Sequence, residues 1–275
     1  MRIALVQMRS GIDPHSNAEC LVRTIKEAAI GGAGLVFTPE MSGLLDRDRT
    51  RAGLHIADEG EDVVLAKVRG VAAEVGIWVS LGSLALRSGS VGRLANRSIL
   101  IDAQGAIRAR YDKMHLFDVD LPNGESWRES YAYVAGNEAI VAETPAGKLG
   151  LSICYDLRFP ALYGALSGAG ATILAVPAAF TAPTGRAHWH ILLRARAIEN
   201  AAWVVAAAQS GVHEDGRTTY GHSLVVDPWG EVVLDMGDEC GVGFAEIGPV
   251  RCEEARARIP VLHHRRTIPQ PLDLR

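Results

Sequence analysis

Apolar runs of strand length alternate with segments of helical period along the whole chain. Arg2–Met8 (RIALVQM) is a short β-rich run, and Ser16–Ile30 reads as a helix with Leu21, Ile25 and Ala28 on one face. Ser16 and Glu19 stand at capping-box spacing at its start. Leu35–Thr38 is a buried-strand run that stops at Pro39-Glu40. A helix over about Asp62–Val75 leads to a strand in Ile77–Leu86. Two hairpins are expected next: Arg97–Asp102 with Ile107–Tyr111, and Ala139–Glu143 with Leu149–Ile153. A helix near Pro160–Ser167, the strand Thr172–Val176 and a long helix from about Ala187 to Asn200 follow. Val204–Gln209, then Ser223–Val226 turning at Pro228-Trp229-Gly230 into Glu231–Leu234, lead to the strand Gly243–Ile247. A last helix near Glu253–Arg258 precedes a Pro-rich tail.

No linker, charge block or low-complexity stretch interrupts this order, so residues 1–275 read as one domain, with the tail from about 260 at the surface or a subunit interface. Hairpins mixed with crossover helices argue against a purely parallel sheet and for mixed sheets inside with helices outside. The balance of 48% hydrophobic and 22% charged residues is that of a globular domain. A net charge of −4 gives no electrostatic reason for nucleic acid or an anionic membrane as partner. The N-terminal apolar run is too short for a signal peptide, and no apolar stretch is long enough to span a bilayer. Cys20, Cys154, Cys240 and Cys252 are scattered, without a CxxC, which fits free thiols in the cytoplasm.

Three reactive side chains each directly follow a strand: Glu40 after the apolar GLVFTP, Lys113 after IRARYD and Cys154 after KLGLSI. Strand ends on a rigid sheet are where catalytic groups gather. Taken singly, each has a plainer reading: an inert buried thiol, a loop carboxylate, a solvated lysine. Cys154 at a strand–turn–helix transition follows nucleophile-elbow logic without the G-x-S-x-G signature, and would direct the Tyr155 N–H toward the reaction centre. His188 and His190 are two apart, about 200° on a helix, and so do not share a metal-binding face. Gly31, Gly32 and Gly34 fall between helix and strand, the reverse of a dinucleotide fingerprint. The HHRR run at 263–266 reads as a surface or subunit contact.

FTPE at 37–40, YDKMHLFDVDLP at 111–122 and LSICYDLRFPALY at 151–163 resemble the three signature blocks of the nitrilase superfamily. The likeness continues through AHWHILLRARAIEN at 187–200, YGHSLVVDPWGEVV at 220–233 and the HHRR tail. Within it the chain is most similar to the Nit branch, which includes deaminated glutathione amidases and omega-amidases, and more to the former. Nitrile-hydrolysing members carry Trp-Glu after the cysteine, where this chain has Tyr155-Asp156.

The resemblance implies an α/β fold, an α-β-β-α four-layer sandwich with two mixed sheets, assembling as a homodimer or higher homo-oligomer. It implies a Glu40–Lys113–Cys154 triad, with Glu129 as a second glutamate orienting Lys113 or the amide. The reaction implied is hydrolysis of a small carboxylate-bearing amide, not a protein peptide bond, through a thioester, with water as co-substrate and no metal or organic cofactor. Glu40 would act as base, its pKa raised by burial; Lys113 and the Tyr155 N–H would hold the oxyanion. Arg158 would bind the substrate carboxylate, against a structural ion pair as the alternative; Phe180 and Thr181 would line the pocket. Omega-amidase or N-carbamoyl amino acid hydrolase activity, a catalytically silent Nit-fold scaffold and a cysteine–histidine acyltransferase are the competing readings.

Overall fold

A computed structural model describes residues 1–90, 92–120, 124 and 126–273. Leu121-Pro122, at the end of the second signature block, and the last two residues of the tail lie outside the described residues. The chain begins β1 (Arg2–Gln7), α1 (Pro14–Ile30), β2 (Leu35–Phe37), α2 (Arg49–Gly53), α3 (Val63–Val75), β3 (Trp78–Arg87), β4 (Leu94–Ile101) and β5 (Ile107–Asp112). A small hairpin follows, β6 (Asp118–Asp120) and β7 (Ser126–Arg128), then β8 (Val141–Thr144), β9 (Gly147–Leu151), α4 (Pro160–Gly168), β10 (Ile173–Ala175) and α5 (Ala182–Asn200). The last part holds β11 (Trp203–Ala206), a second small hairpin β12 (Ser210–Val212) and β13 (Thr218–Tyr220), β14 (Leu224–Val226), β15 (Val232–Asp235), β16 (Gly241–Glu246), α6 (Pro249–Arg258) and α7 (Val261–His264).

Two six-stranded mixed sheets result, in the orders β16-β1-β2-β3-β4-β5 and β15-β14-β11-β10-β9-β8. Alternation along the strands builds the layers. Ile3, Leu5, Leu35 and Phe37 share a core with the second sheet, α4 and α5. Their neighbours Ala4, Val6 and Val36 pack with Leu21, Ile25, Val64 and Val68 of α1 and α3. Both faces of β1 and β2 are thus buried, which is why these strands read as continuous apolar runs; the edge strand β5 (IRARYD) is half exposed and does not. The fold is the four-layer α-β-β-α arrangement expected.

In the first sheet β1, β2 and β3 are parallel, and β5 runs with them because β4 reverses twice. In the second, β9, β10 and β11 are parallel. The ends of β2, β5, β9 and β10 therefore open on a common rim.

Three helices begin earlier than expected, each for a reason in its first turn. Asp13, not Ser16, caps α1, accepting from the N–H groups of His15 and Ser16; Pro14 then occupies the first turn, where no N–H is needed. In α5, Pro183 fits the first turn and Gly185 lets the helix pack on the Tyr220 ring, which a Cβ there would strike. Pro249 likewise opens α6, before the expected Glu253. Among the described residues no helix is long and apolar enough to cross a membrane.

Candidate active site

Glu40 lies three residues beyond β2, and the turn that carries it is gripped from below. Strand β3 breaks register between Leu81 and Leu84, and within that irregularity the Gly82 N–H donates to Thr38 Oγ1 at 3.0 Å. A Cβ on Gly82 would land on the carbonyl oxygens of Thr38 and Pro39, so only glycine allows this approach. Lys113, directly after β5, is held by its N–H to the Asn96 carbonyl at 2.9 Å and by its own carbonyl, which accepts from the Gly136 N–H at 2.9 Å.

Cys154 follows β9 and starts a 3-10 turn over Cys154–Arg158. Its φ of 49° is left-handed, rare for a residue with a side chain and costing about 1–3 kcal/mol. Its N–H donates to the Pro177 carbonyl at 2.8 Å. Asp156, two residues on and fully buried, anchors this turn to the Lys113 loop. It accepts from the Ile153 N–H (2.8 Å) and Tyr111 hydroxyl (2.7 Å), and from the His115 N–H (3.0 Å) with His115 Nδ1 at 2.7 Å.

The three side chains converge. Lys113 Nζ donates to Glu40 Oε1 at 2.9 Å and to Glu129 Oε1 and Oε2 at 3.1 and 2.9 Å. Asn96 Nδ2 bridges the same carboxylates, at 3.0 Å from Glu40 and 3.1 Å from Glu129. Glu40 Oε2 accepts from the Ala179 N–H, at the end of β10, at 2.9 Å, and Glu129 Oε2 from the Phe117 N–H at 2.7 Å. Glu40, Lys113 and Cys154 are 5%, 2% and 8% exposed, so little water screens their charges.

The electrostatics correct one expectation. Burial does push the Glu40 carboxyl up, but the Lys113 ammonium, with hydrogen bonds from Lys113, Cys154 and Asn96, more than offsets it and holds Glu40 below its ordinary value. Burial, and then the Glu40 charge, push the Cys154 thiol well up. Burial opposes the Lys113 charge, yet Glu129, Glu40 and Cys154 together raise it. The resting site therefore holds a carboxylate, an ammonium and a neutral thiol.

These groups floor a cavity of about 490 Å³. Tyr155, Phe180 and Thr181 line it as expected, together with Phe117, Trp127 and Arg217. Arg158 does not line it. Its guanidinium sits 5.4 Å from the Phe180 ring centroid, 5.9 Å from that of Tyr155, and 3.3 Å from His188 Nδ1. It lies against two of the rings that line the cavity. Asn96, Asp156, Phe117 and the Ala179 N–H were missed in the sequence. A polar Asn96 inside the apolar run LANRSILI was the available signal for the first.

His190 also finds partners that its own helix could not show. Asp235 accepts from it at 3.0 Å and from His222 Nδ1 at 2.9 Å. Among the described residues these three form the group whose ligand atoms, all within 4.8 Å, could hold a metal ion. None of them lines the cavity.

A buried thiol beside a carboxylate–ammonium pair, on the rim of two packed sheets, defines a cysteine-dependent hydrolase. The chain belongs to the Carbon-nitrogen hydrolase family, whose sequence profile matches residues 2–257; it is an amidase of the nitrilase superfamily. It is 41% identical over 268 residues to the deaminated glutathione amidase of Yersinia enterocolitica, covering 97% of this chain and 93% of the relative. Among solved structures it is similar to the Caenorhabditis elegans NitFhit protein, with a TM-score of 0.89 and 40% identity over 96% of this chain and 65% of that one. It is also similar to Saccharomyces cerevisiae Nit3, a member of branch 10 of the nitrilase superfamily (TM-score 0.85, 28% identity, 95% and 94% coverage).

Proposed function

We propose that the chain hydrolyses small carboxylate-bearing amides, deaminated glutathione foremost, with Cys154 as nucleophile. The observation that carries this is the contact of Lys113 with both Glu40 and Glu129 beside the buried Cys154 thiol. The substrate rests on the names of relatives such as that of Yersinia enterocolitica.

Glu40, already ionised, takes the thiol proton as sulfur attacks the amide carbon. The oxyanion that forms is met by Lys113, which can exchange one of its two Glu129 contacts for it. The Tyr155 N–H, at the second position of its 3-10 turn and without an intrahelical acceptor there, is the second donor. Collapse breaks the C–N bond while protonated Glu40 delivers its proton to the departing amine, leaving a thioester. Water then attacks, Glu40 accepts its proton, and cleavage of the C–S bond releases the acid and regenerates the thiol. Glu129 positions Lys113 throughout.

The test is turnover of deaminated glutathione to its keto diacid and cysteinylglycine, lost in Cys154→Ala. Because Glu40 is held below its ordinary 4.5, the acid limb of kcat/KM should fall below that pH. Ammonia release from α-ketoglutaramate alone would point to an omega-amidase, and carbon dioxide with free amine to an N-carbamoyl amino acid hydrolase. Activity persisting in Cys154→Ala would sink the mechanism.

Residues 1–275 act as one domain in this reading. The assembly is a homodimer through the face of α5 that carries Ile191 (70% exposed) and Ile198 (50%), the latter lying against Gly230 of the Trp229 turn. The Arg265 guanidinium, on the Gly164 carbonyl at 2.7 Å and Asn200 Oδ1 at 2.7 Å, lays the start of the tail on α4 and α5. Four free cysteines fit a cytoplasmic enzyme.

A further inference from the structure

An aromatic wall runs outward from the cysteine. The Tyr155 ring meets Phe117 edge-on at 5.0 Å between centroids, and Phe117 meets Trp127 at 6.3 Å. Over Trp127 lie two guanidiniums, those of Arg47 at 5.5 Å and Arg217 at 5.1 Å from the ring centroid. Both arginines line the cavity, whereas the carboxylate that answers them, Asp215, does not. Its side chain is fully buried behind them. Asp215 accepts from the backbone N–H of Arg47 and of Arg217, each at 3.0 Å, and from Arg217 Nε at 2.6 Å. Arg47 Nε stands 3.9 Å away from it. Among the described residues, Nε is the only atom of the Arg217 guanidinium with a hydrogen-bond partner. One carboxylate thus faces two guanidiniums, and the cavity side of this wall keeps a positive charge. Asp46, which also lines the cavity, feels the Arg217 charge too, but its hydrogen-bonded partner is Arg51, at 2.6 and 2.8 Å.

We infer that Arg217 and Arg47 form a subsite for a terminal carboxylate on the amine side of the scissile amide. The leaving group is then an amino acid or short peptide with a free C-terminus, in preference to ammonia. This rests on the amidase reading above and narrows it. The order of events assigns the side. The amine must leave before water can take its place at Glu40, so it lies toward the open end of the cavity while the acyl part stays on sulfur. Arg47, with its side chain 51% exposed, marks that open end. The paired guanidiniums over an aromatic plane suit a planar carboxylate, and the apolar wall between them and Cys154 suits the intervening chain.

The test uses two amides with the same α-ketoglutaramyl acyl group. One releases cysteinylglycine, the other ammonia, and a third compound ends the dipeptide in a carboxamide. Loss of one charge-assisted contact corresponds to about 10–100-fold. Arg217→Gln and Arg47→Gln should each raise KM for the carboxylate-ended substrate by about that factor. The value of kcat should change little, and KM for the ammonia-releasing amide, which has no carboxylate on its amine side, should rise by a much smaller factor. The carboxamide should be poorer with wild-type enzyme and insensitive to either variant. Arg217→Lys, which can keep its Asp215 ion pair, should recover part of the loss. Equal losses on both amides, or a carboxamide as good as the carboxylate, would overturn the subsite alone. If the wild type turned over neither amide, the substrate reading would fall and the subsite with it.

Discussion

The floor and the mouth of the cavity are built on opposite principles. At the floor the polar groups lock together: Lys113 reaches two carboxylates, Asn96 Nδ2 donates to the same pair while its buried Oδ1 has no partner among the described residues, and Glu40 takes a further N–H from Ala179. Glu40, Lys113 and Cys154 rise from strand ends of two packed sheets and are almost wholly buried. At the mouth the small hairpins β6–β7 and β12–β13 supply Trp127 and Thr219, and the guanidiniums outnumber their acid. A buried, cross-linked network suits chemistry that must happen at one place. An under-neutralised, wetter wall suits a group that arrives from solvent. The same residue types, Arg, Lys, Glu and Asp, thus serve reaction at one end and recognition at the other.

Lys113→Met tests the floor most severely. It removes the cation that contacts both Glu40 and Glu129, and breaking a buried pair of this kind costs about 3–5 kcal/mol. The expected outcome is a fall in kcat of at least about 10²–10³ with a matching loss of stability in denaturant unfolding. A variant that unfolds at the wild-type midpoint and turns over within tenfold would show that the floor is not one coupled unit.

Gly82→Ala is a subtler blow, because it touches no reacting group. The new methyl would meet the Thr38 and Pro39 carbonyls and push the Glu40 turn away from β3. Overpacking of this kind costs about 1–3 kcal/mol. With Glu40 displaced from Ala179 and Lys113, kcat should drop by about tenfold or more while KM for the substrate changes little. A KM effect without a kcat effect would place the Glu40 turn in binding, not chemistry.

The contrast also explains what could be read in the sequence. Glu40, Lys113 and Cys154 were visible because each directly follows a strand-like run; apolar character marked those of Glu40 and Cys154, whereas IRARYD before Lys113 is charged and half exposed in the fold. The layers followed from hairpins mixed with crossover helices. The position of Arg158 could not be read at all, because adjacency to Cys154 in the chain says nothing about direction: at the end of the 3-10 turn its guanidinium lies against the Tyr155 and Phe180 rings. The Glu40 pKa went the wrong way because burial was weighed without the ammonium at 2.9 Å. Arg47, Trp127 and Arg217 were invisible as a group. They lie on loops and short hairpins far apart in sequence, with no periodicity to join them, and only the fold stacks them.

The smallest effect probes what fixes the mouth. His213, buried beside the β12–β13 turn, faces the Ser10 carbonyl through Nδ1 at 2.9 Å and Thr219 Oγ1 through Nε2 at 2.8 Å. Donation from Nδ1–H to the carbonyl leaves Nε2 to accept from the threonine hydroxyl, the arrangement of a neutral ring. Burial holds the imidazole below its ordinary 6.5; the Ser10 carbonyl opposes this, while the nearby Arg217 adds to it. The unfolded chain therefore takes up a proton first as pH falls. Below about 6.5 it binds more protons than the folded state, so stability drops with acid until the folded ring also titrates. One proton gives a slope of at most about 1.4 kcal/mol per pH unit. His213→Asn should flatten the pH dependence of the unfolding midpoint between neutral and mildly acidic buffer by no more than that amount. At neutral pH its main kinetic effect should be a modest rise in KM for the carboxylate-ended amide, with kcat kept. An unaltered pH slope in the variant would show that the mouth is held by Asp215 and its backbone contacts alone, and that His213 has no part in setting it.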